Sequence, residues 1–308
     1  MISRRESLPG PGALQAVPVT TGGPRLWLQL APVLLPFLVL FCGGLALAVA
    51  QSLGFLSPIP LEQVPGDSYR ALVSDPAFWK SAGFSIYVAL VSALFSVILG
   101  ALLAYGIWRL PRALQGAAIM YKVALILPHV SIAFIILVLW TQSGFVASVC
   151  HRLGLIGSPA EFPALLFAGN GVGLILAYAF KGTGFSILLC LAMLRSLDPR
   201  LVLTARMLGA SRVTVLSRVV LPHLKPVMHT VFIILFLYAF GAFDIPYLLS
   251  ESRPGMLSIS VYNLYFQRGL EQRPLAMAML VSMFLFSCLF IWGYTRMTRR
   301  LGSGVRKL

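Results

Sequence analysis

The sequence predicts an all-α integral membrane protein with six transmembrane helices. Three observations carry that reading. Six long stretches hold almost no charge, only 11% of the residues are charged while 58% are hydrophobic, and the lysines and arginines collect in alternate connecting segments. Ordinary soluble domains carry about 25% charged residues. With a mean hydropathy of +0.89, the chain has more apolar surface than one water-soluble core can absorb, so its solvent is a bilayer. The net charge of +15 does not mark a nucleic-acid binder, because long apolar runs separate the charges. In a membrane protein, excess Lys and Arg reports topology.

The elements follow in chain order. Residues 1–24 are rich in Pro, Gly and small residues and lack the short apolar core of a signal peptide. They read as a mobile cytoplasmic tail ahead of a transmembrane domain at 25–308. A helix needs about 20 mostly apolar residues to cross the hydrocarbon. The first span fits at 27–50, with Pro32 and Pro36 near its start, where a missing N–H costs least. Span two lies at 81–108, between Lys80 and Arg109. Span three, 117–141, is interrupted by Pro128 and His129. Span four, 170–194, contains Lys181, and span five, 228–250, contains Asp244. Span six, 274–296, fills the uncharged gap between Arg273 and Arg296. With the N-terminus inside, only Arg70, Lys80, Arg152, Arg253, Arg268 and Arg273 fall outside and Lys181 within a span; the rest of the 24 basic residues lie inside. Both termini are therefore expected in the cytoplasm.

The most informative connection is SLDPRLVLTARMLGASRVTVLSRVVLPHLKP, residues 196–226. It reads as two short helices within 198–222. Asp198 caps the first and Pro199 suits its first position. Gly209 fits a left-handed residue that ends it cheaply. Ser211 caps the second, and Leu221-Pro222 ends it. The apolar residues Leu201, Ala205, Leu208, Val215 and Val219 are candidates to enter a partner's groove, with the arginines facing its acidic rim or lipid head groups. A solvated basic loop that only sets topology is the other reading.

This stretch resembles the cytoplasmic loop of binding-protein-dependent ABC importer permeases, whose pattern is Glu-Ala-Ala, three residues, Gly, nine residues, then Ile-x-Leu-Pro. Here the aligned residues are Leu203-Thr204-Ala205, Gly209 and Val219-x-Leu221-Pro222, so the last Ala, the Gly and the Leu-Pro match and the Glu is absent. The resemblance covers roughly residues 80–298. It implies a type I importer permease in the bacterial inner membrane. It also implies a second permease (identical or related), two cytoplasmic ATP-binding subunits and an external or periplasmic substrate-binding protein. The loop would then be the ATPase-coupling element. The chain has no Gly-x-x-x-x-Gly-Lys-[Ser/Thr] loop to cradle phosphates, and KGTG at 181–184 is not one. ATP with its Mg²⁺ is thus expected on the partner subunits, and no enzyme activity on this chain.

An ionisable group within a span costs at least about 2.5–3.5 kcal/mol on insertion scales and normally faces protein or water. Asp244 sits in FGAFDIPYLL, residues 240–249, where Gly241 permits bending and Pro246 weakens the helix ladder. Asp244 is a pathway candidate together with Phe240, Tyr247 and Lys181; a structural Asp244–Lys181 pair is the alternative. His129, after Pro128, either bonds a carbonyl freed at the kink or serves substrate or protons. The outer segment 251–274 either meets a binding protein or forms a re-entrant or interfacial helix. GAFDIPYLL and AFKGTGF resemble the permease branch for spermidine/putrescine, ferric iron and related solutes, and an acidic residue in the pathway suits a polyamine. An ion-coupled secondary transporter using Asp244, Lys181 and His129 as a relay remains open. A membrane enzyme would gather His, Asp or Glu at one membrane face, and here they are scattered. The four cysteines form no CxxC pair and point to neither a zinc site nor a disulfide framework.

Overall fold

The structure, a computed structural model, describes residues 24–55, 66–111, 116–249 and 255–305. The predicted tail at 1–24 lies outside them except for its last residue. The described residues form helices and turns, with no strand among them. Six helical segments are long and apolar enough to cross a membrane: Gln29–Ser52, Pro76–Arg109, His129–Arg152, Val172–Arg195, Arg212–Gly241 and Leu270–Thr298.

Residues up to Leu47 form one compact unit and those from Ala48 another. From the first, α1 (Pro24–Phe37) carries Pro32 and Pro36 and passes through a π-turn at Leu38–Cys42 into α2 (Gly43–Ser52), whose residues from Ala48 belong to the second. In the second, α3 (Asp67–Ser74) leads into α4 (Pro76–Arg109), which Asp75 caps by accepting from the Ala77 N–H at 2.8 Å.

Span three is broken at Pro128, where the sequence reading places the interruption, and its first half is only partly α-helical. A 3₁₀ turn at Ala117–Lys122 and α5 (Val123–Ile126) come first. The chain is extended at Leu127 and Pro128, and α6 (His129–Trp140) restarts. A tight turn then gives α7 (Phe145–Arg152). Pro128 has no N–H to offer the preceding turn, so the break falls there.

Next come α8 (Val172–Arg195), α9 (Pro199–Met207) and α10 (Arg212–Val215). Leu221-Pro222 does not end the second short helix, contrary to the sequence reading. α10 runs through a π-turn at Leu216–Val220 into α11 (Leu221–Gly241). The Leu221 N–H reaches the Leu216 carbonyl, five residues back. The wider turn accommodates Pro222, whose ring would crowd a carbonyl in strict α register. Span five, predicted to 250, stops at Gly241, and α12 (Asp244–Leu249) follows after an extended Ala242 and Phe243 outside any helix. Last are α13 (Leu257–Tyr262) and α14 (Arg273–Val305).

Two seams hold the second unit together. Ser92, Ser96, Gly100 and Ala104 recur every fourth residue on α4, and Gly182, Ser186 and Cys190 on α8, so each set forms one stripe. The stripes touch. A Cβ built at Gly100 would collide with the Ser186 side chain, and one at Gly182 would lie 2.5 Å from Ser96 Oγ. Small residues let backbones approach closely where lipid supplies no hydrophobic drive between helices. KGTG at 181–184 is therefore a packing surface: Gly182 meets Ser96, and a Cβ at Gly184 would come within 3.0 Å of the Tyr121 carbonyl. The second seam is aromatic. Phe236 of α11 stacks on Phe290 of α14 at 4.0 Å between centroids, flanked by Phe232–Tyr294 at 5.3 Å and Phe240–Phe286 at 4.9 Å.

Replacing Gly100 by Leu should prevent α4 and α8 from closing and cut the yield of monodisperse protein in mild detergent several-fold. Gly106→Leu on the same helix, where a Cβ meets nothing within 4 Å, should leave it unchanged. Size-exclusion chromatography of the two variants checks this.

Candidate functional site: an exposed helix pair and a cavity at a helix break

At one end of the bundle, α9 and α10 form a compact hairpin. Asp198 accepts from the Arg200 N–H at 2.9 Å, with Pro199 in the first turn. Ser211 accepts from the Thr214 N–H at 3.2 Å. Between them the chain reverses at Gly209, whose φ is +80°. The Gly209 N–H bonds the Arg206 carbonyl at 2.9 Å and the Ala210 N–H bonds that of Ala205 at 3.0 Å. This is the paired closure of a left-handed helix end, which glycine adopts without steric cost.

The hairpin's inner face is apolar and covered. Val215 and Val220 are buried in a cluster with Leu194, Leu197 and Leu224, and Val202, Ala205 and Ala210 pack against it. Val215 and Ala205 are thus anchors, not the partner-facing residues the sequence suggested, and Val219 is half-buried. The outer face carries Leu201 and Leu203, with Met207 and Leu208 at 82% exposure and Val213 at 74%. Met207 and Val213 were missed because helical period alone does not say which face the bundle covers. Leu203 and Thr204, at the positions of the family's Glu and first Ala, are exposed, as are Leu221 and Pro222. Arg200, Arg206, Arg212 and Arg218 are exposed around this apolar patch.

Deeper in the bundle, the break at Pro128 faces α8. Lys181 Nζ donates to the Leu127 carbonyl at 2.9 Å. The carbonyl freed at the kink is therefore taken by Lys181, where the sequence offered His129. The ring of His129 instead lies 5.1 Å from that of Tyr238, and Tyr178 meets Tyr238 edge-on at 6.1 Å. These residues line a cavity of about 190 Å³ together with Ser92, Ser96 and Phe185.

The second break, after Gly241, frees the Ala242 carbonyl, and Ser258 Oγ donates to it at 2.8 Å. Asp244 opens the short α12 and is exposed. Lys181 and Asp244 form no ion pair, so the structural pairing considered from the sequence is absent. Phe240 is 2% exposed and packs on Phe286 within the aromatic seam. Tyr247 is exposed and packs on Phe243 at 5.1 Å and Tyr262 at 5.7 Å. The segment 255–271 is anchored where α13 begins: Met256 and Leu257 are buried and the Leu257 N–H donates to Ser85 Oγ at 2.9 Å. Its far end, Phe266 to Glu271, is exposed.

The architecture is that of an ABC importer permease. It matches a chain from the crystal structure of a bacterial ABC transporter that imports the acidic polysaccharide alginate, with a TM-score of 0.75 and 19% identity over 90% of this chain and 95% of that one. The chain belongs to the family of binding-protein-dependent transport system inner membrane components, which matches residues 71–303. Among its relatives is the sulfoquinovosyl glycerol transport system permease protein SmoG of Agrobacterium fabrum, 27% identical over 256 residues and 80% of each chain. Another is the thiamine transport system permease protein ThiP of Escherichia coli, 26% identical over 245 residues, 78% of this chain and 43% of ThiP. The chain is thus a permease component of a binding-protein-dependent importer and not itself an enzyme.

Removing the Lys181 ammonium should expose what it does for the backbone. Lys181→Met leaves the Leu127 carbonyl without its donor and should destabilise the protein by about 1–3 kcal/mol, read as a lower thermal midpoint in detergent. Lys181→Gln, which keeps a donor, should lose less.

Proposed function

We propose that this chain forms a solute path together with a second, homologous or identical permease, and that residues 198–222 couple it to cytoplasmic ATP-binding subunits. Two such subunits would carry ATP and Mg²⁺. An external substrate-binding protein would deliver solute at the opposite face. The setting is the bacterial inner membrane with both termini cytoplasmic, which the distribution of Lys and Arg supports. An alginate importer solved with its oligosaccharide-bound periplasmic protein has this fold, which supports a binding-protein partner here.

The observation that carries the reading is the outer face of the α9–α10 hairpin. Met207, Leu208 and Val213 are exposed together on a rigidly capped element, and an apolar patch rimmed by charge marks an interaction surface. Leu203 in place of the family's Glu makes that contact apolar where a carboxylate would be polar. The ion-coupled alternative is less well supported, because Lys181 bonds a backbone carbonyl and does not pair with Asp244. For the solute, a polyamine such as spermidine or putrescine suits Asp244 alone, but Lys181 stands in the cavity that Asp244 does not line. The relatives are named for sulfoquinovosyl glycerol, thiamine and sulfate.

Affinity purification of the tagged chain from mild detergent should bring down an ATP-binding subunit. Met207→Glu with Leu208→Glu should abolish that capture while leaving membrane insertion intact. Gly209→Arg, which forces a side chain into a left-handed φ, should also uncouple hydrolysis from uptake. Capture and uptake unchanged in both variants would remove the hairpin from coupling. Asp244→Asn should lower uptake several-fold with little effect on assembly; unchanged uptake would take Asp244 off the path.

A further inference from the structure

At the end of α4 away from the α9–α10 hairpin, an open crevice of about 1290 Å³ lies between α3, α4, α13 and α14. Two of its walls change character in step. On α4, Lys80, Gly83, Phe84 and Tyr87 line it, at a spacing that puts them on one helix face. Across from them, Gln272 is followed by Leu275 and Met279. Each wall is polar at the mouth and apolar or aromatic about 10 Å further in, at 1.5 Å per residue. Arg268 adds a second cation to the mouth. Lys80 and Arg268 are both exposed and pair with no carboxylate among the described residues. Asp75 also stands at the mouth, but its carboxylate accepts from the Ala77 N–H at 2.8 Å and caps α4.

Below the mouth the crevice runs into a surface suited to hydrocarbon. Trp79, Tyr87, Leu90, Leu94 and Ile98 are exposed, and with Gly83 they form one stripe down α4. No charge lies between Lys80 and Arg109 to interrupt it. Ionisable groups mark solute routes through a membrane, and this stripe has none. An exposed tryptophan at the start of a span marks the level of the lipid head groups, and Trp79 stands next to Lys80. We infer that the crevice seats an anionic phospholipid. An acyl chain lies along Gly83, Tyr87, Leu275 and Met279, and the phosphate sits at the mouth, where Lys80 and Arg268 present their charges. Cations beside a slot between membrane helices draw an anionic head group, and the graded walls set its depth. A Cβ at Gly83 would meet nothing within 4 Å, so the middle of the slot is open space for the chain to fill.

The test uses the full chain, delipidated in mild detergent and titrated with phosphatidylglycerol, phosphatidylcholine or inorganic phosphate. Native mass spectrometry counts bound lipid, and the thermal midpoint reads stability. Phosphatidylglycerol should bind with a half-saturating concentration about tenfold below that of phosphatidylcholine and raise the midpoint. Gly83→Leu, which fills the slot, should lose that lipid and keep the starting midpoint. Lys80→Gln with Arg268→Gln should keep a lipid but bring the two head groups to within about twofold of each other. If Gly83→Leu does not fold, this pair of surface substitutions decides. Equal binding of the two lipids to the unaltered chain, full affinity in a folded Gly83→Leu, a preference that survives loss of both cations, or a midpoint raised equally by inorganic phosphate would each overturn the assignment. Loss of the lipid from the assembled transporter would give the crevice to a protein partner instead.

Discussion

The close approach of α4 and α8 is the contact on which the rest of the second unit depends. Lipid tails are as apolar as leucine, so helices gain little by hiding leucine from them. What α4 and α8 gain is dispersion contact between backbones, possible only because serine, glycine, alanine and cysteine stand where larger side chains would hold them apart. That approach sets the rotation of α8. Gly182 turned toward Ser96 places its neighbour Lys181 toward the Pro128 break, and Gly184 toward the turn before α5. The cavity beside Lys181 and His129 is in this sense a by-product of the dry seam next to it.

A second constraint acts at the two broken spans. Away from water, a carbonyl released by a helix break needs a donor from the protein. Leu127 receives one from Lys181, and Ala242 from Ser258. Both donors come from other elements, so each break is also a tie between elements. The breaks can then be open enough to bear polar groups without leaving the backbone unsatisfied. Asp244 and His129 each begin a helix at such a break.

Much of this was legible in the residues. The charge-free runs gave the number of spans, because lipid punishes charge over a whole helix length. Asp198, Pro199, Gly209 and Ser211 announced their hairpin, since caps and left-handed turns depend only on near neighbours. The inner and outer faces of that hairpin were not legible: Val215 and Ala205 look like Leu208 and Val213 until Leu194 and Leu224 cover one side. Lys181 invited pairing with Asp244 on charge alone, whereas its partner is a carbonyl 54 residues away that exists as a free acceptor only because Pro128 breaks the chain. The packing of Phe240 on Phe286 was likewise not legible, because the two lie on helices far apart in the sequence. The π-turn before Pro222 escaped for a related reason: a proline after leucine reads as a stop unless the preceding turn widens.

That widened turn has a mechanical consequence. Because the chain does not stop at Leu221-Pro222, Arg212–Gly241 is a single rod of 30 residues, on the order of 45 Å at 1.5 Å per residue. A jointed connection would absorb a displacement at the Arg212 end as local bending. A continuous helix gripped by aromatic rings at Phe232, Phe236 and Phe240 turns the same displacement into tilt, and its far end moves in the opposite sense about that grip. The far end carries Gly241, Ala242 and Asp244. Two regions that share no contact are thereby joined as the two arms of a lever, with the fulcrum at Phe236 and Phe290.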